Sequence, residues 1–183
     1  MDQKKNVEIE MKTVEDFTNS QWEEFAKSTN VTVSEAQKQY QAFMVEYAQK
    51  RIKGVLIRSS ALTLIREEGF LRSHTFEIDE CANTDVEVFT VEACIKGFFD
   101  SFNDFRLKIT YSISAFGQEL KKETIEISSS DAEWCNKVGA LGNYLKYCFG
   151  VRPHGNHGDV YLRGKVETWL GDIPFDLTLI HLG

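Results

Sequence analysis

Proline and glycine are both scarce, with two and twelve residues in a chain of 183. No segment therefore has the composition of a flexible linker or a low-complexity tract, and no internal repeat stands out. Positive charge is also short. Residues 1–53 hold 8 Lys/Arg against 9 Asp/Glu, residues 54–183 hold 13 against 19, and the total is −7. Neutralising phosphates requires a basic footprint, so nucleic acid and an anionic membrane surface are both disfavoured as partners of this acidic protein. No apolar run approaches the roughly 18 residues of a membrane span, and the charged start MDQKKNVEIEMK is no secretory signal. A soluble protein with a cytoplasmic or otherwise intracellular location is expected.

The short motifs of catalysis are missing as well. There is no Gly-x-Ser-x-Gly elbow, phosphate-binding glycine loop, dinucleotide fingerprint or His-Glu-x-x-His. The balance leans away from an enzyme. The four cysteines, at 81, 94, 135 and 148, form no Cys-x-x-Cys pair. Cys81 and Cys94 could bond in an oxidising compartment, but buried free thiols are the simpler expectation.

What is present begins with helix signals. Thr18-x-x-Gln21 and Thr32-x-x-Glu35 both match the capping box, in which a hydroxyl and the third side chain satisfy amides that the first helical turn leaves free. The first pattern predicts a short helix from Asn19 to about Ser28. The second predicts a helix from Val33 to Lys53, with Ala36, Tyr40, Phe43, Met44, Tyr47 and Ala48 on one face and Gly54 as its stop. From Gly54 the period changes to two. β-prone segments fall at 55–57, 61–65, 74–78 and 86–95. The clearest alternation sets Phe105, Leu107, Ile109, Tyr111 and Ile113 against Arg106, Lys108, Thr110, Ser112 and Ser114, and Leu120 to Ile127 returns as its partner. Ser130-x-x-Glu133 is a third capping box. Trp134, Cys135, Val138, Leu141, Leu145 and Phe149 then recur at helical spacing, which predicts a helix over 131–149. In that helix Cys135 and Cys148 would stand about 20 Å apart and could not bond. Val160 to Leu170 and Ile173 to Leu182 complete a C-terminal hairpin turning at Gly171-Asp172.

The fold class expected is α+β. It comprises a mostly antiparallel sheet, an N-terminal helical pair over 1–53, and a β domain over 54–183 with one long helix before the C-terminal β-hairpin. A β-sandwich with helical additions is the second choice.

Candidate sites follow from side-chain chemistry. His154, His157 and Asp159 offer imidazole and carboxylate ligands for a divalent metal in a glycine-containing loop, 152–159, that also holds Arg152. A polar turn is the plainer account of the same residues. Phe98, Phe99 and Phe102 form an aromatic connection suited to core or partner contact, and Tyr40, Phe43 and Tyr47 form an apolar helix face suited to a partner or a second copy of the chain. The leading expectation is a non-enzymatic binding or assembly protein acting through protein–protein contacts or homo-oligomerisation, without a cofactor. The alternatives are a carrier holding an apolar small molecule or lipid between sheet and helix, and a metal-dependent hydrolase centred on the 152–159 loop.

Overall fold

The computed structural model describes residues 12–52, 57–61, 76–155, 157–168 and 171–182. After a 3-10 turn at Val14–Asp16 come α1 (Asn19–Thr29), α2 (Val33–Ile52), β1 (Ile57–Ala61), β2 (Phe76–Val86), β3 (Phe89–Ser101), β4 (Asp104–Ala115) and β5 (Gln118–Ser128). β6 (Glu133–Ala140), β7 (Asn143–His154), β8 (His157–Thr168) and β9 (Gly171–Leu182) complete the chain. The expected stop at Gly54, the segment 62–65 and the strand start at His74 lie outside the described residues. Among the described residues no helix is long and apolar enough to cross a membrane.

The helical pair forms as its caps dictate. The Gln21 amide donates to Thr18 Oγ1 at 3.2 Å, and the Thr18 amide donates back to Gln21 Oε1 at 2.9 Å. Thr32 and Glu35 repeat the exchange at 3.2 and 2.9 Å. Each box satisfies amides that have no partner within the helix. Asn30, in the left-handed region with φ 55°, stops α1 and donates its amide to the Ala26 and Lys27 carbonyls.

Among the described residues, strand pairing is antiparallel and follows chain order, in a five-stranded sheet β1–β5 and a four-stranded sheet β6–β9. The alternation predicted for β4 holds. Phe105, Leu107, Ile109, Tyr111 and Ile113 are buried, while Arg106, Lys108 and Thr110 are exposed. The two sheets share one hydrophobic core. The Tyr111 ring lies 5.0 Å from Phe149 and 5.7 Å from Tyr147, and the two tyrosine hydroxyls are hydrogen-bonded at 2.9 Å. The sheets also approach each other where β2 lies beside β9 and β5 beside β6.

Three expectations are corrected. The helix over 131–149 is the hairpin β6–β7, turning at Leu141-Gly142. Trp134, Val138, Leu145 and Phe149 satisfy a period of two within each strand as well as the helical spacing, so periodicity could not separate the two states. Gly139 and Gly142 weigh against the helix, at up to about 1 kcal/mol each, and Gly142 has φ 77° in the turn. The third capping box is not used: Ser130 Oγ bonds to Ser128, and Glu133 pairs with Arg163 instead. The second correction follows from the first. Cys135 and Cys148 are register partners joined in a disulfide, and so are Cys81 and Cys94, which leaves no free cysteine. In both sheets the bonded cysteines are 13 residues apart, the second in the strand that follows the first. Third, the C-terminal hairpin is present but Gly171 and Asp172 are strand residues of β9, paired with Thr168 and Glu167.

The helical pair packs against the β4–β5 turn. Phe116 and Leu141 occupy the first position of two-residue turns with φ 51° and 49°. Hairpin turns of this geometry favour Asn or Gly there, and a bulky residue costs about 1–2 kcal/mol. Both side chains are buried. Phe116 meets Phe25, Phe43 and Tyr40, with ring centroids 6.0, 5.7 and 4.9 Å away. Burial of a full aromatic ring outweighs the backbone strain. The Tyr40 hydroxyl donates to the Lys12 carbonyl at 2.8 Å and the Trp22 indole to the Val14 carbonyl at 3.1 Å, which ties the first described residues beneath the pair. Phe116→Ala is expected to destabilise the protein by about 3–5 kcal/mol in urea unfolding, against about 0.5 kcal/mol or less for Val45→Ala on the exposed side of α2. A loss below about 1 kcal/mol at Phe116 would show that the cap is not docked.

Candidate functional site

The outer face of the four-stranded sheet is organised in rows set by strand register. Nearest the β7–β8 turn, His154 stands opposite His157, and the next row is Arg152, Asp159 and His181. Side chains of register partners lie on the same face. The expected loop over 152–159 is therefore the end of β7 and the start of β8, with Gly155 in the turn, and its polar residues become a patch on three adjacent strands. Asp159 is only 4% exposed although it lies on the outer face. Its Oδ1 is 2.7 Å from His181 Nδ1, its Oδ2 is 3.3 Å from His154 Nδ1, and Arg152 Nε lies 4.0 Å from Oδ2. The two imidazole centroids are 5.6 Å apart. Arg152 donates to Asp176 Oδ1 at 2.7 Å and to Thr178 Oγ1 at 3.0 Å.

Further along the face, the Tyr161 ring has the guanidinium groups of Arg152 and Arg163 each 5.2 Å from its centroid. Its hydroxyl donates to Glu133, which also holds Arg163. Burial, then the Glu133 bond, pushes the phenol up to about 12. Among the described residues, the group of metal-ligating side chains whose donor atoms gather within 4.8 Å is Glu133 with Cys135 and Cys148, and its sulfurs are bonded to each other. His154, His157 and Asp159 share a face without gathering that closely, and His181 is the residue that joins Asp159.

Of the aromatic candidates, Phe99 and Tyr40 are buried in the core, and Phe43, Tyr47 and Phe102 pack partly against it. Phe99 is buried against Phe102 and Phe105, with centroids 5.3 and 5.8 Å away, and Phe98 is half-buried. Tyr40 is buried in the cap, Phe43 is stacked on Tyr47, and the Tyr47 hydroxyl donates to Glu87.

A second site has no counterpart among the sequence candidates. A cleft of about 530 Å³ lies between the α1–α2 corner and the start of β5. It is lined by Ser28 to Val31, by Gln39, and by six consecutive residues from Gly117 to Lys122. Gln118 is 4% exposed, and both its amide nitrogen and its amide oxygen lack a hydrogen-bond partner. Lys121 Nζ pairs with Glu123 at 3.0 Å. The Tyr111 hydroxyl donates to the same carboxylate at 2.8 Å, and these bonds hold Glu123 below the usual carboxylate range. Burial pushes Tyr111 up strongly and Tyr147 to about 12. Nothing in the spacing of Gln118, Glu123 or His181 marks them; only register and burial do. Comparison with protein-family models, curated proteins and solved structures finds no match to the chain.

At the far end of the same outer face, Glu167 accepts from Lys146 at 2.6 Å and pairs with Lys165 at 2.9 Å, which pulls its carboxyl down to about 2. A depressed carboxylate stabilises the fold above its unfolded pKa and loses that contribution as pH falls through the folded value. Glu167→Gln is therefore expected to lessen the decline in Tm between about pH 4.5 and pH 2. Identical slopes for the two proteins would refute the pairing.

Proposed function

We propose that the protein is a non-enzymatic binding protein of an oxidising compartment, a two-sheet sandwich that takes an extended peptide segment of a partner along the edge of β5. The observation that carries this reading is Gln118. A buried carboxamide with neither atom paired costs about 1–3 kcal/mol and calls for an explanation. A peptide unit, with one N–H and one C=O, would complement it once the side chain turns into the cleft that it lines.

The position of the cleft supports the same class of ligand. Its lining includes consecutive β5 residues of both side-chain orientations, so it runs along the strand edge rather than over one face. β5 is the outer strand of its sheet, and its far end is bridged to the β6 side at Ser128–Asp131, away from the cleft. An outer strand with a cleft along it can take an added strand, whose main chain supplies affinity while flanking pockets supply selectivity. The volume falls within the roughly 300–1,000 Å³ of small-ligand sites. The disulfides favour the oxidising compartment, since cytosolic thiols are kept reduced.

Gln118→Leu is expected to raise unfolding stability by about 1–3 kcal/mol, because an unpaired polar group is replaced by an apolar one of similar size. Peptides enriched from a random display library on the disulfide-intact protein are expected to bind Gln118→Leu at least 10-fold more weakly and to slow amide exchange at residues 119–123. No enrichment, equal binding to the variant, or protection elsewhere would refute the reading.

A further inference from the structure

We infer that Asn30 is the acceptor of an N-linked oligosaccharide, and that this glycan stands at the mouth of the cleft beside β5. The inference rests on the oxidising compartment and the cleft proposed above, and adds a modification to them. Asn30-Val31-Thr32 is the only Asn-x-Ser/Thr triplet in the chain, and its middle residue is not proline. Such a triplet is an acceptor when it lies in a surface loop of a secreted protein, and secretion is also the setting in which disulfides form. Asn30 and Thr32 are both exposed, in the corner between α1 and α2.

The local structure leaves the acceptor atom available. Asn30 has φ 55° and ψ 40°, and it stops α1 through its backbone amide, which donates to the Ala26 and Lys27 carbonyls. The stop therefore needs the backbone and not the carboxamide, whose Nδ2 makes no hydrogen bond among the described residues. Thr32 caps α2 by accepting from the Glu35 amide at 3.2 Å, so the triplet joins the end of one helix to the start of the next. In the transfer, Nδ2 forms a C–N bond to the anomeric carbon of a lipid-diphosphate-linked oligosaccharide. The C–O bond to the diphosphate breaks, the lipid diphosphate leaves, and Nδ2 gives up one proton to base. The position then has a consequence. Ser28 to Val31 line the cleft from the helical side, and Gly117 to Lys122 line it from the β4–β5 turn and β5. A bulky, hydrated chain rooted at Asn30 narrows the approach to β5 and competes with a bound peptide for space.

The test is intact-mass spectrometry of the full chain, secreted from cultured eukaryotic cells behind a cleavable leader, without reductant and before and after peptide-N-glycosidase F. One glycan, removed by the enzyme, is expected on the native chain and on Thr32→Ser, which keeps both the triplet and the cap. None is expected on Asn30→Gly or Thr32→Ala. Glycine adopts φ 55° without strain, so Asn30→Gly should keep its circular dichroism while losing the glycan. Peptides selected on the trimmed protein should bind the glycosylated form about 10-fold or more weakly. A chain with both disulfides and no glycan, or a glycan retained in Asn30→Gly, would overturn the inference and leave the compartment standing. Free cysteines would contradict the compartment itself, and equal peptide affinity of the two forms would overturn the placement at the cleft. The mass does not depend on peptide binding, so a failure of the peptide reading is seen separately.

Discussion

Strand register across β6–β9 is the constraint on which the rest depends. Side chains alternate between faces, so a slip of one residue would send Tyr147 and Phe149 out of the core and carry Arg152 and Asp159 into it. The Cys135–Cys148 bond joins register partners and holds this alignment from the first hairpin of the sheet. Two glycines are then covered by aromatic rings from the neighbouring strand: Tyr144 over Gly139 and Tyr161 over Gly150. Gly164 lies so close to the Lys146 carbonyl that a Cβ there would stand 1.9 Å from it, so the backbones of β7 and β8 approach only because the residue is glycine. The row Arg152–Asp159–His181 is a consequence of this alignment.

The helical cap is the second dependency. Phe116 and Leu141 tolerate a left-handed backbone because burial at the helical end repays more than the strain removes. Tyr40 contributes twice, as a ring against Phe116 and as a hydroxyl bonded to the Lys12 carbonyl. Ala36, Tyr40 and Met44 of α2 are buried within the chain. This moves attention from the helices to the sheet edges and the outer face as places where another molecule could bind.

Sequence legibility followed the strength of local signals. Thr18, Thr32 and the alternation from Phe105 to Ser114 could be read because each satisfies a rule within a few residues. Ser130 matched the same capping rule and misled, since nothing local says whether a hydroxyl will meet a helix amide or Ser128. Trp134, Val138, Leu145 and Phe149 fit both periods, and the glycines at 139 and 142 were the discriminating residues. The Cys135–Cys148 bond was hidden by the helix assigned around it. The loop holding Arg152, His154, His157 and Asp159 was visible as a cluster of chemistry, but its geometry was not. His181 joins it from 22 residues beyond Asp159 through strand pairing alone. Gln118 was beyond reach for a similar reason: a glutamine at the start of a strand is ordinary until its burial and lack of partners are known.

The two sheets, the cleft beside β5 and the histidine face all rest on the hairpins β2–β3 and β6–β7. Disulfide mapping tests them most directly: mass spectrometry of peptides from protein prepared without reductant and alkylated before digestion. The expected result is complete linkage of Cys81 to Cys94 and of Cys135 to Cys148. Alkylated cysteines, or a bond between one of the first pair and one of the second, would contradict the register and with it the assignment of both sites.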